Sequence, residues 1–395
     1  MPAERLRVAL VAGTLAQGGA EKQLVYMVRA LVAADVDVRV YCLAEGEHYA
    51  AAVRSLVGGP VWIGRRAAPP VRLLALIREL QPFRPHVVQA GHFYVNLYVW
   101  AAAKVCGALS IGSIRGDGTI DVRGAGLWGR WLVRAPRMLI VNSHSARRYA
   151  VHQGVDPAAI RVIAGVLDAS AVSPPGKTRP ADGPAASIVA VSVASLIEAK
   201  RLDRFLGALA KARRSLPTLR GVIAGEGPER GRLEAMASTL GLGADGVCFA
   251  GHCADVPSLL ASADLLVLTS DHEGCPNVLL EAMAAGLPVV TTPAGDAAML
   301  VTDGATGFVV DFNDEDALAE RIVRLARSPG LRACLGAAGR ERALRDFRAD
   351  ALADRLLAAY RAGATRMGGT GRVAMLSQLA LTGLEDHVDA EFGPR

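Results

Sequence analysis

Residues 265–292 constrain the chain more than any other stretch. Leu265–Thr269 is a short apolar run of strand character, a polar loop follows, Asn277–Ala285 has helical spacing, and Pro288–Thr292 is strand-like again. Strands joined through a helix argue for parallel pairing, and parallel sheets need helices over their faces. A loop at the carboxyl end of a parallel strand, leading into a helix N-terminus, suits a phosphate-bearing ligand. Glu273 in the loop and Glu281 eight positions later add two carboxylates. Carboxylates accept hydrogen bonds from sugar or ribose hydroxyls.

The same alternation runs from end to end. In the first half Arg7–Val11, Val36–Leu43, Val87–Gln89, Ile111–Ile114 and Met138–Asn142 read as strands, with helical spacing over Glu21–Ala33, Val71–Leu80, Tyr94–Cys106 and Ala146–Gln153. Ser173–Pro184, SPPGKTRPADGP, reads as a linker. The alternation then restarts. Strands are expected at Ile188–Val193, Arg220–Ala224, Val247–Ala250, Leu265–Thr269, Pro288–Thr292 and Gly307–Val310. Helices are expected at Arg201–Arg214, Pro228–Leu240, Val256–Ala261, Asn277–Ala285, Glu315–Arg327 and Leu331–Asp346. The fold class is α/β, two Rossmann-like halves: a first domain over 1–172, a linker over 173–185 and a second domain over 186–348.

Length and composition fit this division. The chain has 395 residues, 51% hydrophobic and 21% charged, enough for two domains with cores of their own. The net charge of +6 is unevenly placed: residues 1–180 hold 22 Lys and Arg against 11 Asp and Glu, while residues 181–395 hold 22 against 27. A basic first half can attract a phosphate-rich acceptor or an anionic membrane surface. Nothing else in the chain supports nucleic-acid binding. The six cysteines are scattered, and Cys248–His252–Cys253 lacks metal-ligand spacing, so reduced thiols and a cytoplasmic location are expected, with no metal site. Val8–Leu15 reads as a first strand rather than a secretory leader, and Phe93–Ile114 as a buried helix followed by a strand rather than a membrane span.

Several shorter motifs stand at strand ends. Gly13-Thr14-Leu15-Ala16-Gln17-Gly18-Gly19-Ala20-Glu21 follows the first strand, and the adjacent Gly18 and Gly19 let backbone approach a ligand at a helix start. It has no G-x-G-x-x-G spacing, which argues against a dinucleotide site. Gly225-Glu226-Gly227-Pro228 reads as a turn that starts a helix. Gly126–Arg134, GLWGRWLVR, mixes tryptophan with arginine and suits either a membrane interface or a core-facing helix with one basic side.

The second-half segment closely resembles the donor-binding signature of glycosyltransferase family 4, carried here by Glu273, Gly274, Pro276, Asn277, Leu280, Glu281, Ala282, Met283, Ala284, Gly286 and Pro288. The resemblance implies the GT-B fold, two Rossmann-like domains with parallel sheets facing across a cleft, and a C-terminal helix (349–367, with Ala349–Ala362 as its candidate) that crosses back to the first domain. It implies a retaining transfer of a sugar from a nucleotide diphosphate, UDP-sugars before GDP-sugars, to a saccharide or lipid-linked acceptor, with no metal or other cofactor. Glu273 is then expected against the donor sugar hydroxyls and Glu281 on the ribose. Backbone groups from Gly274 through Cys275, Pro276, Asn277, Val278 and Leu279 are expected at the sugar and β-phosphate, and Gly18 and Gly19 on the first loop. Val193–Arg201 resembles the family segment in which an Arg and a Lys flank the pyrophosphate. Lys200 holds the Lys position, but Ser195 stands at the Arg position, with Arg201 or Arg204 as candidate substitutes. Ala250–Pro257 resembles the loop bordering the base. Where the family often has His after the fourth strand, this chain reads Ser113-Ile114-Arg115-Gly116-Asp117-Gly118, so Arg115, Asp117 and the nearby His92 are candidates for the acceptor side. The family's V-I-P-N-G-V-D is altered to Val162-Ile163-Ala164-Gly165-Val166-Leu167-Asp168. A non-catalytic GT-B subunit that binds a sugar nucleotide or a partner enzyme is the competing reading. Peripheral contact with the inner face of the membrane is a further expectation, and the tail 368–395 is assigned no role.

Overall fold

The computed structural model describes residues 5–64, 67–168, 187–368, 373–374 and 376. The linker 173–185 and nearly all of the tail, including most of the helical candidate Val373–Leu384, lie outside the described residues. The chain forms two compact units. The first takes the residues up to Val166 and those from Ala349 onward; the second takes Leu167–Arg348.

The first unit is built on seven parallel strands: β1 (Arg7–Ala12), β2 (Asp37–Cys42), β3 (Val61–Trp62), β4 (Val87–Ala90), β5 (Leu109–Ile114), β6 (Met138–Val141) and β7 (Ile160–Val162), in the order β3-β2-β1-β4-β5-β6-β7. Strand β1 shows why this sheet is covered on both faces. Val8, Leu10 and Ala12 enter one core with helix α1 (Gly19–Ala33), whereas Ala9 and Val11 enter another with α3 (Pro69–Phe83) and α4 (Asn96–Cys106). A strand buried on both faces reads as an unbroken apolar run, as this one does. The stretch 93–114 divides as expected into helix and strand. Its first turn, Phe93–Val95, is 3-10, and the Asn96 side chain then accepts from Ser113 N–H at 2.9 Å, tying the start of α4 to β5. Among the described residues no helix is long and apolar enough to cross a membrane.

The second unit has six parallel strands: β8 (Ile188–Val193), β9 (Leu219–Ala224), β10 (Val247–Gly251), β11 (Leu265–Leu268), β12 (Val289–Thr291) and β13 (Gly307–Val309), in the order β10-β9-β8-β11-β12-β13. All six expected strands are present within a residue or two of their bounds. The helices α8 (Leu202–Ser215), α9 (Arg230–Thr239), α10 (Val256–Ser262), α11 (Asn277–Ala284), α13 (Glu315–Arg327) and α14 (Pro329–Asp346) occupy the expected segments, and a short α12 (Ala297–Leu300) is added. Both sheets reverse strand order once, between β1 and β4 in the first unit and between β8 and β11 in the second.

Helix α15 (Leu352–Arg366) belongs to the first unit. Leu356, Ala359, Tyr360 and Ala364 are buried in the same core as α1. Tyr360 Oη donates to Gln89 Oε1 at 2.6 Å, and Gln89 Nε2 lies 3.5 Å from Met27 Sδ. These polar atoms are sealed from water, and burial pushes the Tyr360 hydroxyl above the ordinary phenol range. Tyr360→Phe removes the donor and strands the Gln89 carbonyl, a loss of about 1–3 kcal/mol. The midpoint of denaturant unfolding of the first unit should fall accordingly. Adding Gln89→Leu to Tyr360→Phe should return part of the loss, because the orphaned acceptor is then gone.

Candidate active site

The second unit concentrates chemistry at its switch point. After β8 the chain runs through Ala194–Ile197 and a 3-10 turn, Glu198–Lys200; after β11 it runs through Thr269–Pro276 into α11. The two loops are bound together. Asp271 N–H donates to Ala199 O at 2.9 Å, and Thr269 Oγ1 donates to Lys200 O at 3.1 Å. Within this frame Lys200 Nζ donates to Glu273 Oε1 at 2.7 Å, their side chains 22% and 12% exposed. Ser270 Oγ donates to the same Oε1 at 2.7 Å and is itself held by Thr292 Oγ1, which donates to Ser270 O at 2.7 Å. Both donors converge on one oxygen, so Glu273 Oε2 has no bond within the described residues and can accept from a hydroxyl of a ligand.

A glycine sets the height of this loop. Gly295 has φ +60°, and a Cβ there would overlap the carbonyl oxygens of Glu273 and Gly274. Asp296 N–H donates to Gly274 O at 2.9 Å. The carbonyls at 273 and 274 therefore face the β12 side. Helix α11 begins at Asn277 after Pro276, which makes no side-chain cap, so the positive end of the helix dipole lies at this loop. The Leu279 side chain is fully buried, and its N–H donates to Pro276 O at 3.1 Å. Cys275 is likewise buried, consistent with a small filler. Glu281 is half-buried one turn farther along α11.

Ser195 is exposed on the first of the two loops. Both candidate substitutes for the missing arginine are paired with carboxylates. Arg201, in the left-handed conformation at φ +46°, pairs with Asp203 at 3.0 Å and Asp271 at 3.1 Å, and Arg204 pairs with Asp271 at 2.5 Å and donates to Thr269 O at 3.2 Å. Burial opposes ionisation of Asp271, yet its bonds to Arg204 and Arg201 hold the carboxyl below the usual range. These arginines brace the loop and leave Lys200 as the cation beside Glu273. The Gly225–Pro228 turn is structural: Cβ atoms at Gly225 and Gly227 would overlap the carbonyls of Ala194 and Leu196, and Leu196 N–H donates to Glu226 O at 2.9 Å. Among the described residues no group of three or more His, Cys, Asp or Glu side chains could hold a metal ion.

The first unit carries its own cluster at the β1/β4 switch point. Gly13 N–H donates to His92 Nδ1 at 3.3 Å, which fixes the ring proton on Nε2, and Nε2 lies 3.1 Å from Glu21 Oε1. Both His92 nitrogens are thus occupied in holding the glycine-rich loop, and His92 is a positioning group. A Cβ at Gly18 would press on the end of the Glu21 side chain; Gly19 opens α1. The Thr14 hydroxyl and Leu15 N–H both donate to Glu47 Oε2, the former at 2.7 Å. Arg115 follows β5. Its guanidinium lies 3.6 Å from Met27 Sδ, its Nε has no partner, and burial brings its pKa down to about 10. Asp117 accepts from Thr119 N–H at 2.8 Å and so shapes the start of α5 (Thr119–Gly124). Sequence reasoning missed Ser270, Gly295, Glu47 and the Glu21–His92 pair. Only the Ser-x-x-Glu spacing at 270–273 carried a local signal.

Comparison with known proteins agrees with this geometry. The family model described as Glycosyltransferase Family 4 matches residues 17–170, and that described as Glycosyl transferases group 1 matches 180–342. The lipopolysaccharide core biosynthesis glycosyltransferase LpsE of Rhizobium meliloti is 33% identical over 176 residues, 45% of this chain and 50% of that protein. The putative glycosyltransferase EpsD of Bacillus subtilis is 37% identical over 146 residues, 37% of this chain and 38% of that protein. The matched stretch therefore spans half or less of these relatives. Among solved structures, Anabaena HepE in complex with UDP and glucose superposes with a TM-score of 0.77 at 20% identity, covering 89% of this chain and 98% of that one. The sucrose-phosphate synthase of Thermosynechococcus elongatus gives 0.75 at 20%, covering 90% and 98%. At these identities the likeness is one of fold, GT-B with two Rossmann-like domains. With one model over each half and the strand–loop–helix signature at the second switch point, the chain belongs to glycosyltransferase family 4, the group 1 glycosyl transferases.

Proposed function

We propose that this protein is a retaining glycosyltransferase that moves a hexosyl group from a nucleotide diphosphate to a hydroxyl of a saccharide or lipid-linked acceptor in bacterial polysaccharide or glycolipid biosynthesis. The observation that carries the reading is the Lys200–Glu273 pair across the β8/β11 switch point, with Glu273 Oε2 open. In this reading Oε2 accepts from a hydroxyl of the donor sugar. Lys200 spends one ammonium hydrogen on Glu273 and offers the rest to the departing diphosphate, together with the first-turn N–H groups of α11. That supply of positive charge requires no metal. Glu281 takes the ribose hydroxyls, and acceptor recognition is assigned to the first unit, where Arg115 follows β5. UDP is the favoured nucleotide, since HepE is described in complex with UDP and with UDP-glucose. GDP is next, since a mannosyltransferase of Mycolicibacterium smegmatis, 37% identical over 164 residues, 40% of this chain and 43% of that one, is described as GDP-mannose-dependent.

Ser195 favours a second reading. The pyrophosphate side lacks one of the two cations of the family pattern, and Arg201 and Arg204 are committed to Asp203 and Asp271. A non-catalytic subunit would bind either a nucleotide without turnover or a partner enzyme in place of a nucleotide.

Three outcomes test the assignment. In a thermal-shift panel of UDP, GDP, ADP, TDP and NAD, one diphosphate should raise the melting temperature selectively, and Glu281→Ala should abolish that shift. No shift with any of them moves the protein to the non-catalytic reading. Glu273→Ala should cut transfer by about a hundredfold or more with the fold intact, whereas Ser270→Ala, which removes one of two donors to Oε1, should cost about tenfold. Near-normal activity of Glu273→Ala removes that residue from the mechanism. Gly295→Ala should abolish nucleotide binding without unfolding the second unit, because its methyl displaces the 273–274 carbonyls; an unchanged nucleotide Kd shows the loop does not depend on it.

A further inference from the structure

The segment between β5 and β6, beyond Arg115 and Asp117, presents an outer face that is both aromatic and basic. Helix α6 (Gly129–Arg134) packs inward through three residues: Val133 is fully buried, Leu132 is partly buried against the same core, and Gly129 sits so close to α5 that a Cβ would overlap Val122 O. Arg130, Trp131 and Arg134 turn outward. Trp128 is 71% exposed and Trp131 38%. Their rings meet edge to face at 6.4 Å, and Trp131 meets Trp100 of α4 at 4.9 Å. The Lys104 ammonium lies 5.6 Å from the Trp100 ring centre. Arg130 and Arg134 alternate with the tryptophans and are exposed. Ile120 (53%) and Val105 (59%) on the neighbouring helices are exposed as well.

Single exposed apolar residues are ordinary surface. Three of the chain's four tryptophans in one contiguous, partly open cluster are not. The charge around them is of one sign: residues 96–152 contain eight Lys and Arg against two Asp and Glu, and neither Asp117 nor Asp121 is exposed. Indole rings settle at the boundary between hydrocarbon and water, and interleaved arginines reach the phosphates of that boundary. A protein partner of this complementarity would need acidic aromatic-accepting grooves, whereas a bilayer supplies anions over an apolar layer without further shape.

We infer that the Trp100–Trp128–Trp131 face, with Arg130, Arg134 and Lys104, docks on the anionic surface of a lipid bilayer. This surface belongs to the first unit and Lys200 and Glu273 to the second, and the inference holds or fails without reference to the sugar donor. The full-length protein is mixed with phosphatidylcholine vesicles, with and without phosphatidylglycerol, and bound protein is read by co-sedimentation and tryptophan emission. Binding and a blue shift are expected with the anionic vesicles only. Trp128→Ala with Trp131→Ala, and separately Arg130→Glu with Arg134→Glu, should each lower partitioning by about tenfold or more while the melting temperature holds. If the tryptophan pair destabilises the fold, Trp128→Ala alone carries the test, since that side chain is mostly in solvent. Equal binding to both vesicle types, no binding to either, or wild-type binding by both variants overturns the inference. So does self-association of the protein alone that the variants dissolve, which would assign the face to a second copy of this chain.

Discussion

Parallel pairing of β8 with β11 fixes the distance between two loops that are about 70 residues apart in sequence, and the site of the second unit follows from that distance. Leu265 lies against Ala190 and Leu266 against Val191, so the chain leaves both strands on the same side of the sheet. Lys200 and Glu273 then meet at 2.7 Å. A partly buried carboxylate is costly without a partner, and the ammonium and the Ser270 hydroxyl supply it from one side. The consequence is directional. One carboxylate oxygen is committed to the protein and the other is left for a ligand. Gly295, Thr292 and the Asp271 arginine pairs all serve to keep that orientation, through backbone clearance, a carbonyl bond and loop bracing respectively.

The two units use the same topology for different ends. In the second unit the switch point holds an ion pair with spare acceptor capacity. In the first, the His92 ring is saturated by Gly13 and Glu21, and its role is to hold a glycine-rich loop in place. The charged side chains differ in sign as well as in use. Just under half of the basic excess of the first half lies on helices α4 to α7 (His144–His152), whereas acids of the second half such as Asp203, Asp271 and Glu273 stand in bridges.

Much of this was legible in the sequence where periodicity and burial agree. All six strands of the second unit are apolar runs flanked by turns, and each was placed. The Glu273–Glu281 segment was readable because strand, loop and helix follow one another without interruption. Elements that escaped are short or lie at edges. Strands β3 and β7 have two and three residues, and α5 has six, ending at Gly124. So little chain carries no period. Arg201 and Arg204 were equally plausible as ligand groups until the fold brought Asp271 against them, since pairing across about 70 residues leaves no local trace. Leu279 and Cys275 show a related limit: a signature names a run of residues, but only packing decides which of them turn inward.

The return of α15 to the first unit bears on how the molecule is made. The face of α1 that receives Leu356, Tyr360 and Ala364 belongs to the opening segment of the chain, and its cover is encoded near the far end. Chain elongation delivers the whole of 167–348 before that cover arrives. A nascent chain therefore carries an apolar seam, with Gln89 still open to water, throughout synthesis of the second unit, and that unit, continuous in sequence, is the one able to complete its core first. Helix α15 acts as a closing step for the core of the first unit, so a chain that stops short of Tyr360 leaves that core without part of its cover.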